Sequence, residues 1–305
     1  MASKPIALVV EPRGKPIRSL PKETTTYLQA STADLYDRLA AEAGISPHRL
    51  RLTKGGDGTV VPNAKDFTVE RTGLRSKSVI YVKDLGPQIA WQTVFLIEYI
   101  GPAAIHPLIY YLRPYLFRNA GAPSYAQSLS CLIITLHFLK RELETLFVHR
   151  FSNATMPARN IFKNSAHYWV LGGANIAYWI YKPGSPTAQL TNPLIIYTGL
   201  ALFAIGELGN LSTHLTLRGL RSAGGKERGI PQGLGFDMVT CPNYTFETLA
   251  WIGIWMVTFS LSTAVFAVLA VGQMYLWALK KESRYRKEFG DKYKRKRSVM
   301  FPFIA

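Results

Sequence analysis

Apolar residues are distributed along this chain in two ways. Up to Asp84 they come in short groups, some alternating with polar residues and separated by charges and Gly-rich turns. From residue 88 to residue 279 they fill long runs, several reaching the ~20 residues that a helix needs to cross a bilayer. Behind Leu279 charge returns at once, in KKESRYRKEFGDKYKRKR. The pattern predicts a small soluble domain over residues 1–85 and a transmembrane domain with a basic tail over residues 86–305.

Five stretches satisfy the length rule: residues 88–112, 125–148, 167–181, 193–217 and 247–279. The third is short. The last is too long for one perpendicular helix, and is expected to be one helix or two with a break near Ser260 to Thr263. The fold class is therefore an α-helical polytopic membrane protein with five to seven transmembrane helices and a small α+β N-terminal domain. Residues 149–163, residues 218–228 and the tail are rich in Lys and Arg, so the positive-inside rule assigns all three to the cytosol.

The front end reads as β-β-α-β, closed by a further apolar run. Ile6 to Val10 is a compact strand, and Tyr27-Leu28 ends a β-branched run that begins at Thr24. The helix that follows has Ser31 or Thr32 as its cap, Leu35, Leu39 and Ala43 on one face, and Gly44 to stop it. Leu50-Arg51-Leu52 alternates, Gly55-Gly56-Asp57-Gly58 turns the chain, and Val79 to Val82 closes the domain. This order, with RLRLTKGGDGTVV after the helix and SVIYVKDLG at the end, resembles the ubiquitin-like fold. Gly86-Pro87 leads into an apolar run where ubiquitin has a free diglycine tail, which excludes conjugation. The Gly-rich turn lacks Gly-Lys-Ser/Thr and opens no helix, so it is not a phosphate loop.

Charge narrows the possible partners. With 36 Lys and Arg against 19 Asp and Glu, the net charge is +17. Basic residues beside apolar spans are accounted for by membrane topology, so nucleic acid is not an expected partner. The two cysteines, Cys131 and Cys241, have no neighbours at metal-ligand spacing, and neither a disulfide framework nor a metal site is expected. The N-terminus lacks the apolar core and cleavage site of a signal peptide. There is no G-x-S-x-G elbow, no H-E-x-x-H, no Rossmann glycine motif between strand and helix, and no clustered histidine pattern of a di-iron enzyme.

Polar residues inside the spans carry the functional signal, because burying them in hydrocarbon is costly. Asn210, His214, Arg218 and Arg221 fall within about 80° on a helix of 100° per residue. His137, Arg141 and Glu144 form a second stripe at i, i+4 and i+7, and Tyr244, Glu247 and Trp251 a third. Glu98 is a lone carboxylate in the first span. Structural ion pairs and snorkelling anchors are the plain alternative. Taken together, the stripes predict a charged pocket among the helices, with too many cations to be neutralised by one another. Arginines suit phosphates or carboxylates, and a tyrosine in cationic surroundings can donate a proton.

The segment CPNYTFE (residues 241–247), followed by Trp251-Ile252-Gly253, resembles the signature of the steroid 5α-reductase-like membrane reductases. HFLKRELETLFVHRFSNATMPARNIFKN (residues 137–164), GNLSTHLTLRGLR (residues 209–221) and FPFI (residues 301–304) are similar to the very-long-chain trans-2-enoyl-CoA reductases within that family. The ubiquitin-like front is shared with these enoyl reductases and not with the steroid enzymes. The resemblance spans essentially the whole chain.

It implies the last step of fatty-acid elongation in the endoplasmic reticulum membrane, with the N-terminal domain and tail in the cytosol. NADPH is the implied cofactor and a long-chain trans-2-enoyl-CoA the substrate. Membrane lipid and the other elongation enzymes are implied partners. Tyr244 matches the family's proton donor and Lys140 a second essential position; Glu98 is grouped with them as a catalytic candidate. Asn210, Arg218, Arg221, Arg228, Asn243, Glu247 and Tyr285 match cofactor contacts of the steroid-reductase relatives. Arg141 and His149 are assigned to the same face, and His214 is included although those relatives carry an acid there. Phe138 stands where the steroid enzymes use a tyrosine to polarise a ketone, which suits a thioester substrate. Lys294 follows Tyr293 where relatives have proline. A sterol or polyprenol reductase, or a non-catalytic membrane adaptor using the ubiquitin-like domain, are the competing expectations.

Overall fold

The structure is a computed structural model that describes residues 5–151, 154–222, 229–294 and 298–302. The chain divides into two units, Met1–Trp91 with Asn153–Asn160, and Gln92–Ser152 with Ile161–Ala305.

In the first unit, β1 (Pro5–Pro12) buries Ile6, Leu8 and Val10 on one face, as strand alternation requires. It pairs antiparallel with β2 (Glu23–Tyr27). After α1 (Thr32–Ala43) come β3 (Leu50–Lys54) and β4 (Val79–Asp84), giving the sheet order β2-β1-β4-β3 with β1 and β4 parallel at its centre. Ser31 is the cap of α1: its Oγ accepts from Asp34 N at 3.0 Å, and Asp34 Oδ2 accepts from Ser31 N at 3.2 Å. Gly44 closes the helix at φ 65°, a left-handed turn that glycine makes without strain. Leu35 and Leu39 of α1 pack on Leu8, Leu52, Ile80 and Val82. Buried Tyr36 satisfies its hydroxyl twice, donating to Val61 O at 2.7 Å and accepting from Leu52 N at 3.0 Å. A separate two-stranded ribbon joins β5 (Gln88–Ala90) to β6 (Thr155–Pro157). The ribbon was not legible as strand: residue 88 was read as the start of a span.

In the second unit, α2 (Trp91–Leu116) is followed by α3 (Tyr125–Phe147). A continuous helical run then comprises α4 (Asn160–Ser165), a π-helical segment (Ala166–Asn175) and α5 (Ile176–Tyr181). After the single turn α6 (Pro186–Gln189) come α7 (Pro193–Gly219), α8 (Pro242–Thr258) and α9 (Leu261–Phe289). Among the described residues, three helical segments are long and apolar enough to cross a membrane: Trp91–Leu116, Pro193–Gly219 and Leu261–Lys292. The long C-terminal stretch is two helices, parted at Phe259, whose φ of 45° breaks α8 one residue ahead of the expected interval. The second stretch, α3, is long enough but carries Lys140, Arg141, Glu142 and Glu144 in its last turns.

Helices α7 and α8 meet backbone to backbone. A Cβ on Gly206 would lie 2.4 Å from Ala250 N, and one on Gly253 would lie 2.5 Å from Gly199 O. Only glycine fits at such a seam. Across it Asn210 Nδ2 donates to Asn243 O at 2.9 Å.

In the first unit Arg49 Nε donates to Asp84 Oδ1 at 3.0 Å, and the guanidinium holds the Asp84 carboxyl below the usual carboxylate range. A depressed folded value means that the stabilisation is complete above the unfolded value of ~3.9 and fades as pH falls through the folded one. The pair is partly exposed, so Asp84→Asn should cost less than about 1 kcal/mol at pH 7. The gap to wild type should narrow as pH falls through the depressed folded value of Asp84 and close below it. Pulse proteolysis in urea, with thermolysin at neutral pH and pepsin in acid, reads both.

Candidate active site

One face of α3 presents His137, Lys140, Arg141 and Glu144 to α7 and α8, and the whole array is ion-paired. Lys140 Nζ lies 2.6 Å from Asn210 Oδ1, 3.0 Å from Glu207 Oε2 and 3.3 Å from Glu144 Oε1. The Asn210 contact is a hydrogen bond and the two carboxylates are ion pairs. Arg141 donates to Glu144 Oε2 at 3.1 Å and to the Tyr99 hydroxyl at 3.0 Å, with its guanidinium 5.1 Å from the centre of the Tyr99 ring. Buried His137 turns both ring nitrogens to carboxylates: Nδ1 lies 2.5 Å from Glu207 Oε1 and Nε2 3.4 Å from Glu247 Oε1. His214 Nδ1 is 3.0 Å from Glu144 Oε1, and the His149 ring sits 4.8 Å from that of His214.

The central carboxylate, Glu207, went unread in the sequence. It lies three residues before Asn210 and falls in the same 80° arc as Asn210, His214, Arg218 and Arg221, so extending that stripe by one turn finds it. Its presence corrects the expectation of surplus cations. Lys140 and Arg141 are neutralised by Glu144 and Glu207. Tyr99, the phenol under Arg141, was also missed; its neighbour Glu98 had drawn the attention.

The other expected residues are distributed as follows. Glu98 is buried in α2, with Oε1 lacking a hydrogen-bond partner and the Asn164 side chain beside it. Asn243 is buried with Oδ1 unpartnered. Tyr244 is half-buried against Cys241, Met274, Ala278, Val299 and Met300, and its hydroxyl takes no hydrogen bond from a described residue. Arg218 is exposed at the end of α7, its carbonyl accepting from Arg150. Arg221 donates to Arg150 O at 2.6 Å. Tyr285 is buried in α9, its ring 5.3 Å from that of Tyr293. Arg228 lies outside the described residues.

Aromatic rings close one side of the array. Tyr168, delivered by the π-helical segment, meets Tyr99 edge-on at 5.2 Å, and Trp251 packs on His137 at 5.2 Å and on Phe266 at 4.7 Å. π-Helical turns occur often at functional sites. Glu144, His149 and His214 bring metal-ligand atoms within 4.8 Å of one another. Glu144 already holds Lys140 and Arg141, and two cations beside it oppose a divalent ion.

Residues 154–305 match the family described as 3-oxo-5-alpha-steroid 4-dehydrogenase. Over 285 residues the chain is 40% identical to the very-long-chain enoyl-CoA reductase of Dictyostelium discoideum, covering 92% of this chain and 94% of that one. The chain belongs to the very-long-chain enoyl-CoA reductase family. A trans-2,3-enoyl-CoA reductase-like protein of Bos taurus is 34% identical over 271 residues, 84% of this chain and 71% of its own. An enoyl-CoA reductase is an oxidoreductase, and this family's reaction is of the nicotinamide-dependent kind. Its three apolar helices make this member a membrane protein.

The geometry predicts unequal effects at Glu207. Glu207→Leu leaves His137 Nδ1 unpaired and removes one of the two carboxylates of Lys140, and breaking a buried pair in this way costs about 3–5 kcal/mol. Glu207→Gln keeps a hydrogen-bond acceptor for both and should cost less. Thermal unfolding of the two detergent-purified variants, followed by tryptophan fluorescence, should order them so.

Proposed function

We propose that this protein uses NADPH to reduce trans-2-enoyl-CoA to the saturated acyl-CoA, the last step of the very-long-chain fatty acid elongation cycle. The observation that carries the proposal is near-full-length similarity to a protein named for that activity; Tyr244, whose hydroxyl takes no hydrogen bond from a described residue, directly follows Asn243, whose buried Oδ1 has no partner.

The residues fit a nicotinamide nucleotide. Asn243 Oδ1 is a buried acceptor in want of a donor, and a carboxamide NH2 is such a donor. Arg218 and Arg221 at the cytosolic end of α7, with Arg228 and Tyr285, are assigned to its phosphates and ribose. When bound, NADPH supplies the hydride for the β-carbon of the enoyl thioester. Tyr244 delivers the proton to the α-carbon as the enolate collapses. Lys140, hydrogen-bonded to Asn210 and ion-paired with Glu207 and Glu144, acts by positioning Asn210 and not by donating to substrate. Asn210 in turn holds Asn243 O across the helix seam. Arg141, His149, His214 and Glu247 complete the network that fixes α3 against α7 and α8. Glu98, buried with a free oxygen, is the second candidate for proton handling. The rings of Phe138, Tyr168, Trp251 and Phe266 keep the reacting carbons dry, which strengthens every charge interaction there.

The first unit is read as a ubiquitin-like domain and the second as a multi-pass bundle of the endoplasmic reticulum membrane. The N-terminal domain and the tail are placed in the cytosol by their Lys and Arg excess. Membrane lipid surrounds the bundle, and other elongation enzymes are its expected neighbours. Protease added to sealed microsomes should remove the N-terminal domain; its full protection would refute that orientation.

The activity test is NADPH oxidation by purified protein with a long trans-2-enoyl-CoA, run beside a sterol enone. Turnover of the sterol alone would overturn the proposal. Tyr244→Phe deletes one oxygen and little volume, so folding and NADPH affinity should hold while kcat falls roughly 10²- to 10⁴-fold. A change confined to KM would make Tyr244 a binding group instead.

A further inference from the structure

Lys281 lies on the same face of α9 as the residues against which Tyr244 packs. Met274, Ala278, Lys281 and Tyr285 follow at i, i+4, i+7 and i+11, within about 60° on a helix of 100° per residue. Met274 and Ala278 belong to the buried cluster that receives Cys241 and Tyr244 from α8. Lys281 is half-buried one turn further along, its ammonium 5.6 Å from the centre of the Tyr285 ring, and it acts electrostatically on both the Cys241 thiol and the Tyr244 phenol.

The charges around Tyr244 single this lysine out. Lys281 on α9, Cys241 at the start of α8, Arg141 on α3 and Tyr99 on α2 all act electrostatically on Tyr244. Arg141 is already bound to Glu144. Lys281 forms no ion pair with a described residue: the adjacent Glu282 turns its carboxylate to Thr240, Tyr293 and Arg286. No carboxylate among the described residues neutralises Lys281, so a negative charge forming on Tyr244 meets a cation that is not already held by another anion.

We infer that Lys281 is a positioning residue for proton transfer, holding the phenolate that Tyr244 becomes. The inference rests on the reading of Tyr244 as the acid. In that step the Tyr244 O–H bond breaks with its electron pair left on oxygen, and the enolate pair forms the new C–H bond at the α-carbon. The electrons that reduce the double bond arrive as hydride from the nicotinamide nucleotide, whose oxidation balances them, and water later reprotonates the phenolate.

The test uses full-length protein in detergent carrying Lys281→Met, Lys281→Gln or Lys281→Arg, each alone and combined with Tyr244→Phe. Losing one preorganised charge at a reacting oxygen should lower kcat roughly 10²-fold in the Met and Gln variants. KM for enoyl-CoA should stay near wild type, as should NADPH affinity measured by nucleotide fluorescence. Lys281→Arg should restore most of the loss. In the Tyr244→Phe background the Met substitution should add less than about twofold, because the group it serves is gone. A rise in KM at constant kcat, an undiminished loss in the Tyr244→Phe background, or failure of Arg to rescue would each overturn the inference. Wild-type kcat in Tyr244→Phe alone would instead remove the acid reading on which it rests.

Discussion

The site depends on the contact of α7 with α8 at Gly199, Gly206 and Gly253. At this seam the backbones approach so closely that a single methyl group would collide with main-chain atoms. Contact at that range is what lets a short side chain, Asn210, reach the carbonyl of Asn243 in the first turn of α8. It also lets His137 from α3 engage Glu207 on α7 and Glu247 on α8 at once. Larger residues at the seam would part the helices by several ångströms, and every one of these hydrogen bonds is shorter than that. In lipid, where apolar side chains gain little by leaving their surroundings, such packing and the polar bonds it permits are the main forces between helices.

Within the bundle, two kinds of buried polar group can be told apart by whether the protein satisfies them. His106 takes Tyr181 OH at Nδ1 and Gly172 O at Nε2, both at 3.0 Å, while Arg113 donates to Tyr181 O and Gln127 to Ile180 O. That knot is closed and reads as structure. Around α3, Lys140, Arg141, Glu144 and Glu207 are ion-paired with one another and form a scaffold. Among the described residues, the buried atoms left without a hydrogen-bond partner include Asn243 Oδ1 and Glu98 Oε1, and also one oxygen each of Thr135, Glu142, Ser165, Glu207 and Thr263. Native interiors leave few such groups unsatisfied, and those that remain call for a ligand.

Sequence reading succeeded where a local signal was sufficient. The Ser31 cap, the Gly44 stop and the alternation of Ile6, Leu8 and Val10 are each encoded within a few residues, and the first unit follows from them. The break between α8 and α9 was legible from length alone. Glu207 was not, because one carboxylate within an apolar run gives no periodic signal until its partners on another helix are known. The same limit hid the meaning of Lys140 and Arg141: their stripes were visible, but whether a cation is spare or paired is a property of the neighbouring helices. The β5–β6 ribbon joins residues more than sixty apart, and no short pattern announces it. The π-helical segment was seen only as a short span, since its widened turns leave the apolar composition unchanged.

The C-terminal segment completes the setting of Tyr244. The first turn of a helix has N–H groups with no partner inside the helix. In α8, Pro242 removes one of these, and Cys241 N donates instead to Val299 O at 2.9 Å. One turn on, Thr245 Oγ1 donates to Met300 O, while Thr240 and Tyr293 both donate to the buried carboxylate of Glu282 at 2.5 Å. The chain beyond α9 is thereby bound to the residues flanking Asn243 and Tyr244. Val299 and Met300 then form part of the wall against which the phenol packs. A tyrosine packed on one side by this return and on the other by Met274 and Ala278 has little freedom to swing. For the acid proposed above, a fixed orientation of this kind is worth several kcal/mol of a bimolecular barrier, and it is supplied by packing residues outside the proposed chemistry.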